Sequence, residues 1–195
     1  MRVFDGNFYY DLISIGDGKY THSNIDITEY STFELEFFYN NLLVSSITTV
    51  PEKPVNLYLS DSIVKVSDDV FTGNDPDALE LSWDNTDGSY YFLLIENMES
   101  NPTSIYDNSN VSSINQSFNL APTQSDYYSM NTRRFSYYGK HRIILFHINP
   151  DLAVLYEDSD DTSQNITNPP TELENAFGIF TGINADTLYV NVKPH

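Results

Sequence analysis

Apolar and polar side chains alternate with a period of two almost everywhere in this chain, and no helical amphipathic period lasts longer than about two turns. Residues 31–39, STFELEFFY, show the pattern. Phe33, Leu35, Phe37 and Tyr39 fall on one side, and Thr32, Glu34 and Glu36 on the other. A strand turns successive side chains to opposite faces, so this alternation calls for sheets with one face covered. The expected fold is all-β, built from two β-sandwich-like domains. The aromatic supply agrees, because 15 Tyr and 12 Phe provide flat side chains that suit a pleated, half-buried surface.

The same period locates the segments. Strands are expected at 7–15 (NFYYDLISI), 31–39 and 41–50 (NLLVSSITTV), with turn chemistry in GDGKY (16–20) and YNN (39–41). VPEKP (50–54) reads as a boundary, since two prolines bracket charged residues and proline cannot donate to a sheet ladder. Further strands are expected at 55–59, 77–85, 89–97, 116–120, 134–149 and 186–192. Leu79, Leu81 and Trp83 share one face, which predicts that Trp83 is buried. Pro150 after Asn149 is a helix-start signal over 150–158. AFGIFTG (176–182) is expected to form a short strand or bulged edge. Phe177, Ile179 and Phe180 would anchor it, and Gly178 and Gly182 would supply turns. The division expected is a β-hairpin-rich domain over 1–52 and a sandwich over 53–195, with inserted loops at 98–130 and 150–185. The first segment is short for a sandwich, and Met1 is followed at once by what reads as mid-strand. The expectation is a trimmed start, with an export signal and more of the first domain upstream.

Charge excludes one class of partner. The net charge is -19, from 28 acids against 9 Lys and Arg, which repels nucleic acid and anionic lipid faces. The chain has no cysteine, so disulfides, zinc thiolates and thiol nucleophiles are out of reach. Residues 1–20 lack a basic region followed by an apolar one, and no apolar run is long enough to span a bilayer.

Two resemblances add to this reading. LELSW (79–83) followed by YYFLLI (90–95) resembles a strand pair of a fibronectin type III or immunoglobulin-like sandwich. A Trp sits late in the first strand and a Tyr opens the next after a short polar turn. YYGKHRIILFHIN (137–149) looks like a later strand of that fold. Its last two strands would then be separated by the 150–185 insertion. Over most of its length the chain is similar to a family of Bacteroidetes envelope lipoproteins of unknown function, often encoded beside TonB-dependent receptors. The stretches that carry this are DGKYTHSNIDITEYSTFELEFFYNNLLVSSITTVPEKP (17–54), FSYYGKHRIILFHINPDLAVLY (135–156) and NITNPPTELENAFGIFTG (165–182). The resemblance implies a transthyretin-like or carboxypeptidase-regulatory-like first segment, and a lipid anchor at the outer membrane or cell surface. It also implies a TonB-dependent receptor or another envelope protein as partner. It brings no catalytic residues, and the chain lacks the lipobox cysteine and the first strands.

The residues themselves nominate few sites. His141 and His147 lie six residues apart on one expected strand, roughly 20 Å, too far to share a metal, and each reads as a polar strand-end residue. EDSDD (157–161) and DNTDG (84–88) hold carboxylates but not the spacing of a calcium loop. No metal or cofactor is expected. Three N-linked sequons begin at Asn110, Asn115 and Asn165, and the triplets at Asp61 and Asp186 are similar to acceptors of Bacteroidetes periplasmic O-glycosylation. G-x-S-x-G is absent, and with so many acids no carboxylate pair stands out. Tyr127, Tyr128, Tyr137 and Tyr138 have flat apolar faces with polar tips. They can serve as core and edge residues or stack on a glycan. The function expected is a non-enzymatic envelope or surface protein, with a carbohydrate-binding module as alternative. A glycan- or peptide-cleaving enzyme with its site at the domain junction is the third reading.

Overall fold

A computed structural model describes residues 1–66, 79–105, 116–157 and 172–194. About half of the described residues, 51%, are strand, accompanied by one short helix. The chain is all-β, with sandwich-like domains. The acidic run from residue 158 onward and all three sequons lie wholly or partly outside the described residues.

The chain divides into two compact units. One comprises Met1–Lys53 with His147–Asn184, the other Pro54–Phe146 with Ala185–His195. The break after Lys53 falls in the proline-bracketed stretch. The division differs from two consecutive segments in that residues 147–184 group with the amino-terminal part.

In the first unit, β1 (Arg2–Phe4), β2 (Tyr9–Asp11), β5 (Thr32–Tyr39) and β6 (Leu42–Thr49) form a sheet in the order β2-β1-β5-β6. Its ladders are antiparallel, with Phe33 opposite Thr48 and Tyr39 opposite Leu42. β3 (Ile13–Gly16) and β4 (Lys19–Thr21) make a separate hairpin. The stretch 7–15 is therefore two strands interrupted at Leu12, whose N–H donates to the Met1 carbonyl at 3.0 Å. Val3, Phe33 and Val50 are buried together, and Leu12, Ile25, Leu35 and Phe180 pack against them. The helix α1 (Pro150–Glu157) begins where the sequence places it. Asn149 is its N-cap, its carbonyl accepting from Leu152 N at 3.1 Å, and Pro150 occupies the first helical position, where a missing N–H costs nothing.

The second unit holds two sheets. One has the order β12-β9-β7, from Tyr127–Met130, Leu79–Ser82 and Tyr58–Leu59. The other is β11-β10-β13-β14-β8. Its strands are β8 (Ile63–Val66), β10 (Tyr90–Asn97), β11 (Ser117–Asn119), β13 (Gly139–Ile148) and β14 (Ile183–Pro194). β8 runs parallel to β14, with Val64 opposite Val192. Inward side chains of both sheets meet in one core. Leu79, Leu81 and Trp83 come from or just beyond β9, Tyr91, Leu93 and Ile95 from β10, Ile143 and Leu145 from β13, and Val190 and Val192 from β14. Trp83 is 4% exposed, as the alternation predicts. β10 shows strict alternation, each second side chain buried and the others half-buried.

The segment AFGIFTG departs from expectation. It is irregular rather than a strand, and Glu174, just before it, bridges to Ser45 of β6. Phe177 is 72% exposed and belongs to neither core cluster of the described residues, whereas Phe180 packs on the first unit's core. Gly182 is not a turn residue but a close approach: a Cβ there would sit 2.9 Å from the Thr49 carbonyl oxygen. Its N–H donates to Thr48 Oγ1 at 2.8 Å. Nearby, the Asn149 amide Nδ2 lies 3.0 Å from Thr49 O and 3.2 Å from Thr181 Oγ1. The segment's base is thus fastened by polar groups and by one phenyl ring, not by three apolar side chains.

Candidate functional site

The four nominated tyrosines are not one ridge. Tyr127 and Tyr128 are consecutive on β12 and point to opposite faces. Tyr128 sits opposite Leu81 and packs on the core, while Tyr127 sits opposite Ser82 and is 59% exposed. Tyr137 is half-buried and bridges to Ser104. Tyr138 packs on the core, donating its N–H to Thr103 O at 2.9 Å and accepting from Asn97 Nδ2 at 3.0 Å. Two of the four are therefore core-facing, one is an edge residue, and Tyr127 alone presents most of its surface.

Tyr127 gains a companion from a segment that the sequence did not nominate. On β7, Leu59 pairs with Leu81 and faces inward, so Tyr58 pairs with Ser82 and faces outward. Ser82 thus has a tyrosine on each side in the same register, and Tyr58 is 62% exposed. With strands about 4.8 Å apart, the two tyrosines stand roughly 10 Å apart across the sheet. The serine between them is small and half-buried. The alternation of VNLYL contains the signal for an outward Tyr58. The pairing of β7 and β12 on either side of β9 does not show in any local pattern.

The support beneath this row is packed and hydrogen-bonded. Leu81 is fully buried directly behind it, with Leu59 and Tyr128 packed alongside. Ser60 Oγ accepts from Glu80 N at 2.9 Å, and Trp83 N donates to Asp126 O at 3.0 Å. Asn56 Nδ2 donates to Asp84 Oδ2 at 2.6 Å. Near the turn that follows, Asn85 Nδ2 donates to the Gln124 carbonyl at 2.7 Å, and its Oδ1 accepts from Ser89 N at 2.9 Å. The exposed carboxylates here belong to Glu80, Asp84 and Asp126. Glu80 lies on the same face as Ser82, two residues away along β9.

The two histidines expected at strand ends are instead buried, His141 to 3% and His147 to 7% exposure. Within the first unit His147 Nδ1 lies 2.9 Å from the Glu52 carbonyl and donates to it. In the second, His141 Nδ1 lies 3.1 Å from the Gly139 carbonyl, which can only accept, so Nε2 is left to accept from Asn97 Nδ2 at 3.2 Å. The Asn97 amide is held in that orientation because its Oδ1 accepts from Glu99 N at 2.9 Å. Burial lowers the His141 pKa below its ordinary value near 6.5, opposed by the bond to Gly139 and by the Glu99 charge. This arrangement suits a structural neutral imidazole. Among the described residues no group of three or more His, Asp and Glu is placed to hold a metal ion, and no helix is long and apolar enough to cross a membrane.

No protein-family model, no curated protein and no solved structure matches this chain.

Proposed function

We propose that this chain is the binding part of a non-enzymatic cell-envelope protein. In its full-length form a lipid anchor carries it at the outer membrane or cell surface, where it works beside a TonB-dependent receptor. The observation that carries a binding role is the Tyr58–Ser82–Tyr127 row, two exposed aromatic side chains in register on a sheet whose other face packs on the core. An exposed aromatic pair on a packed support gives contact area at little cost in side-chain order. The order β12-β9-β7 against β11-β10-β13-β14 supports the fibronectin type III-like reading of the second unit. That scaffold presents surfaces and loops to partners, although fold alone assigns no function. The envelope assignment rests on the ordered likeness of residues 17–54, 135–156 and 165–182 to the lipoprotein family.

Fractionation of cells expressing the natural gene tests this reading. The expected outcome is protein in the outer-membrane fraction, labelled by fatty acid and cross-linked to a TonB-dependent receptor. Recovery from the cytosol without acylation would refute it. A carbohydrate-binding module is the second reading, favoured by the same tyrosine row.

A further inference from the structure

The outer face of the three-stranded sheet has a spacing, a shape and a charge that together specify a ligand. We propose that Tyr58, Ser82 and Tyr127 form a subsite for an uncharged, extended, β-1,4-linked pyranose chain lying across the strands. This rests on the reading of that face as a binding surface and names its ligand.

The spacing is the first argument. Tyr58 and Tyr127 are fixed on the same register line by their common partner Ser82, two inter-strand steps apart, or roughly 10 Å. In an extended β-1,4-linked chain each sugar is turned over relative to its neighbour, so alternate sugars present the same face. Two aromatic side chains set two sugars apart can therefore each meet an equivalent apolar face. A helical α-linked chain offers no such repeat.

Shape is the second. The middle sugar passes over Ser82, which is short enough to leave room and carries a hydroxyl for hydrogen bonding. More than half of each tyrosine side chain is open to solvent, so neither must move out of a packed position to be used. The buried Leu81 behind the row keeps the spacing constant, and a preorganised site loses little freedom on binding.

Charge is the third. Glu80, Asp84 and Asp126 are exposed around the row on a chain of net charge -19. Carboxylates accept hydrogen bonds from sugar hydroxyls, and charge-assisted bonds of this kind are the stronger class. The same carboxylates repel sulfated, phosphorylated or uronic-acid polymers. Stacking area with carboxylate acceptors thus complements a polyhydroxylated chain without negative charge.

Calorimetric titration of the 195-residue chain tests the proposal, with β-1,4-linked hexasaccharides of glucose and of N-acetylglucosamine as probes. An α-1,4-linked glucose hexasaccharide, a heparin hexasaccharide and a lysine-rich peptide serve as comparisons. We expect binding of at least one β-linked probe over all three comparisons. Tyr58→Ala and Tyr127→Ala should each weaken it about tenfold, the usual scale for losing one aromatic anchor. Tyr127→Phe should stay close to wild type, and Tyr137→Ala, outside the three-stranded sheet, should change nothing. Ser82→Gln should block the middle position while leaving both rings in place, which guards against a tyrosine variant that misfolds. Thermal melts confirm that each variant is folded. Failure of both β-linked probes to bind overturns the proposal. So does binding that survives Tyr58→Ala, Tyr127→Ala and Ser82→Gln, or preference for the α-linked, anionic or basic probe. None of these results touches the envelope assignment, which cell fractionation decides separately.

Discussion

The two units solve the same problem with different materials. Among the described residues the second unit buries fifteen side chains in one cluster drawn from both of its sheets. The first buries six apolar side chains, Val3, Phe33, Val44, Val50, Ile148 and Ala153, of which Val3, Phe33 and Val50 form one cluster with four half-buried neighbours. To this smaller core it adds side-chain to backbone bonds. Asn149 reaches Thr49 O and Gly182 O, Asn175 Nδ2 donates to Leu43 O at 2.9 Å, and Asn184 Nδ2 donates to Pro51 O at 3.1 Å. Apolar burial is non-directional and grows with area, so the second unit tolerates local polar losses. A unit held by specific amides has fewer redundant contacts and loses more of its order when one amide is removed.

The largest effect should come from the second core. Leu81→Ala should destabilise that unit by about 2–5 kcal/mol, through lost transfer energy and the cavity left behind. Trp83 is the chain's one tryptophan and lies in the same cluster, so its fluorescence follows this unit's unfolding in denaturant. A loss below 1 kcal/mol would mean that the core relaxes around the cavity, and the contrast between the units would weaken.

Asn149→Ala should come next, at about 1–3 kcal/mol, because Thr48, Thr49, Thr181 and Gly182 lose a shared donor. Amide exchange read strand by strand should show faster exchange in β5 and β6, with β10 and β13 residues up to Phe146 unchanged. Equal acceleration in both units would break the comparison.

A pH effect should appear in the second unit. The folded state holds His141 neutral below its ordinary titration point, while the unfolded chain takes up a proton near pH 6.5. Stability is therefore complete above that value and falls as pH drops toward the lowered folded pKa. Denaturant melts followed by Trp83 at pH 7.5 and pH 5.5 should show the loss, and His141→Gln should flatten it. A wild-type midpoint that stays constant over that range would contradict the neutral-imidazole assignment.

The smallest effect belongs to Phe177→Ala. At 72% exposure it should shift stability by no more than about 0.5 kcal/mol, and protease should cut residues 172–182 at the wild-type rate. Phe180→Ala should speed that cutting, because this ring packs on the first core. Equal effects from the two would show that exposure in this segment does not report anchoring.

Much of the fold was legible because parity is a local property. The alternation in STFELEFFY placed β5, and LELSW placed Leu81 and Trp83 inward without knowledge of any partner strand. The pair Asn149–Pro150 announced α1 through φ preference and a dispensable N–H. AFGIFTG misled for the same local reason: aromatic and glycine residues allow an edge strand, but Gly182 serves the close approach of Thr49 and Val50, which lie more than a hundred positions earlier. The tyrosines show both sides of the matter. The YY of β12 had to split between two faces, which period two requires. Which of them would meet Tyr58 depended on β7 and β12 both choosing β9.

By itself, then, the sequence determined the strand character of most segments, the inward face of β9, the start of the helix and the break near Lys53. It could do so because dihedral preference and side-chain alternation act between neighbours. Only the tertiary structure decided that β14 lies beside β13 across residues 149–182, and that β8 joins β14 in parallel. It alone grouped 147–184 with the amino-terminal unit and set Tyr58 and Tyr127 around Ser82. Each of those choices is a pairing of backbone donors and acceptors far apart in the chain. Its free energy depends on which edge is left uncovered once the cores have formed, and no local run of residues encodes that.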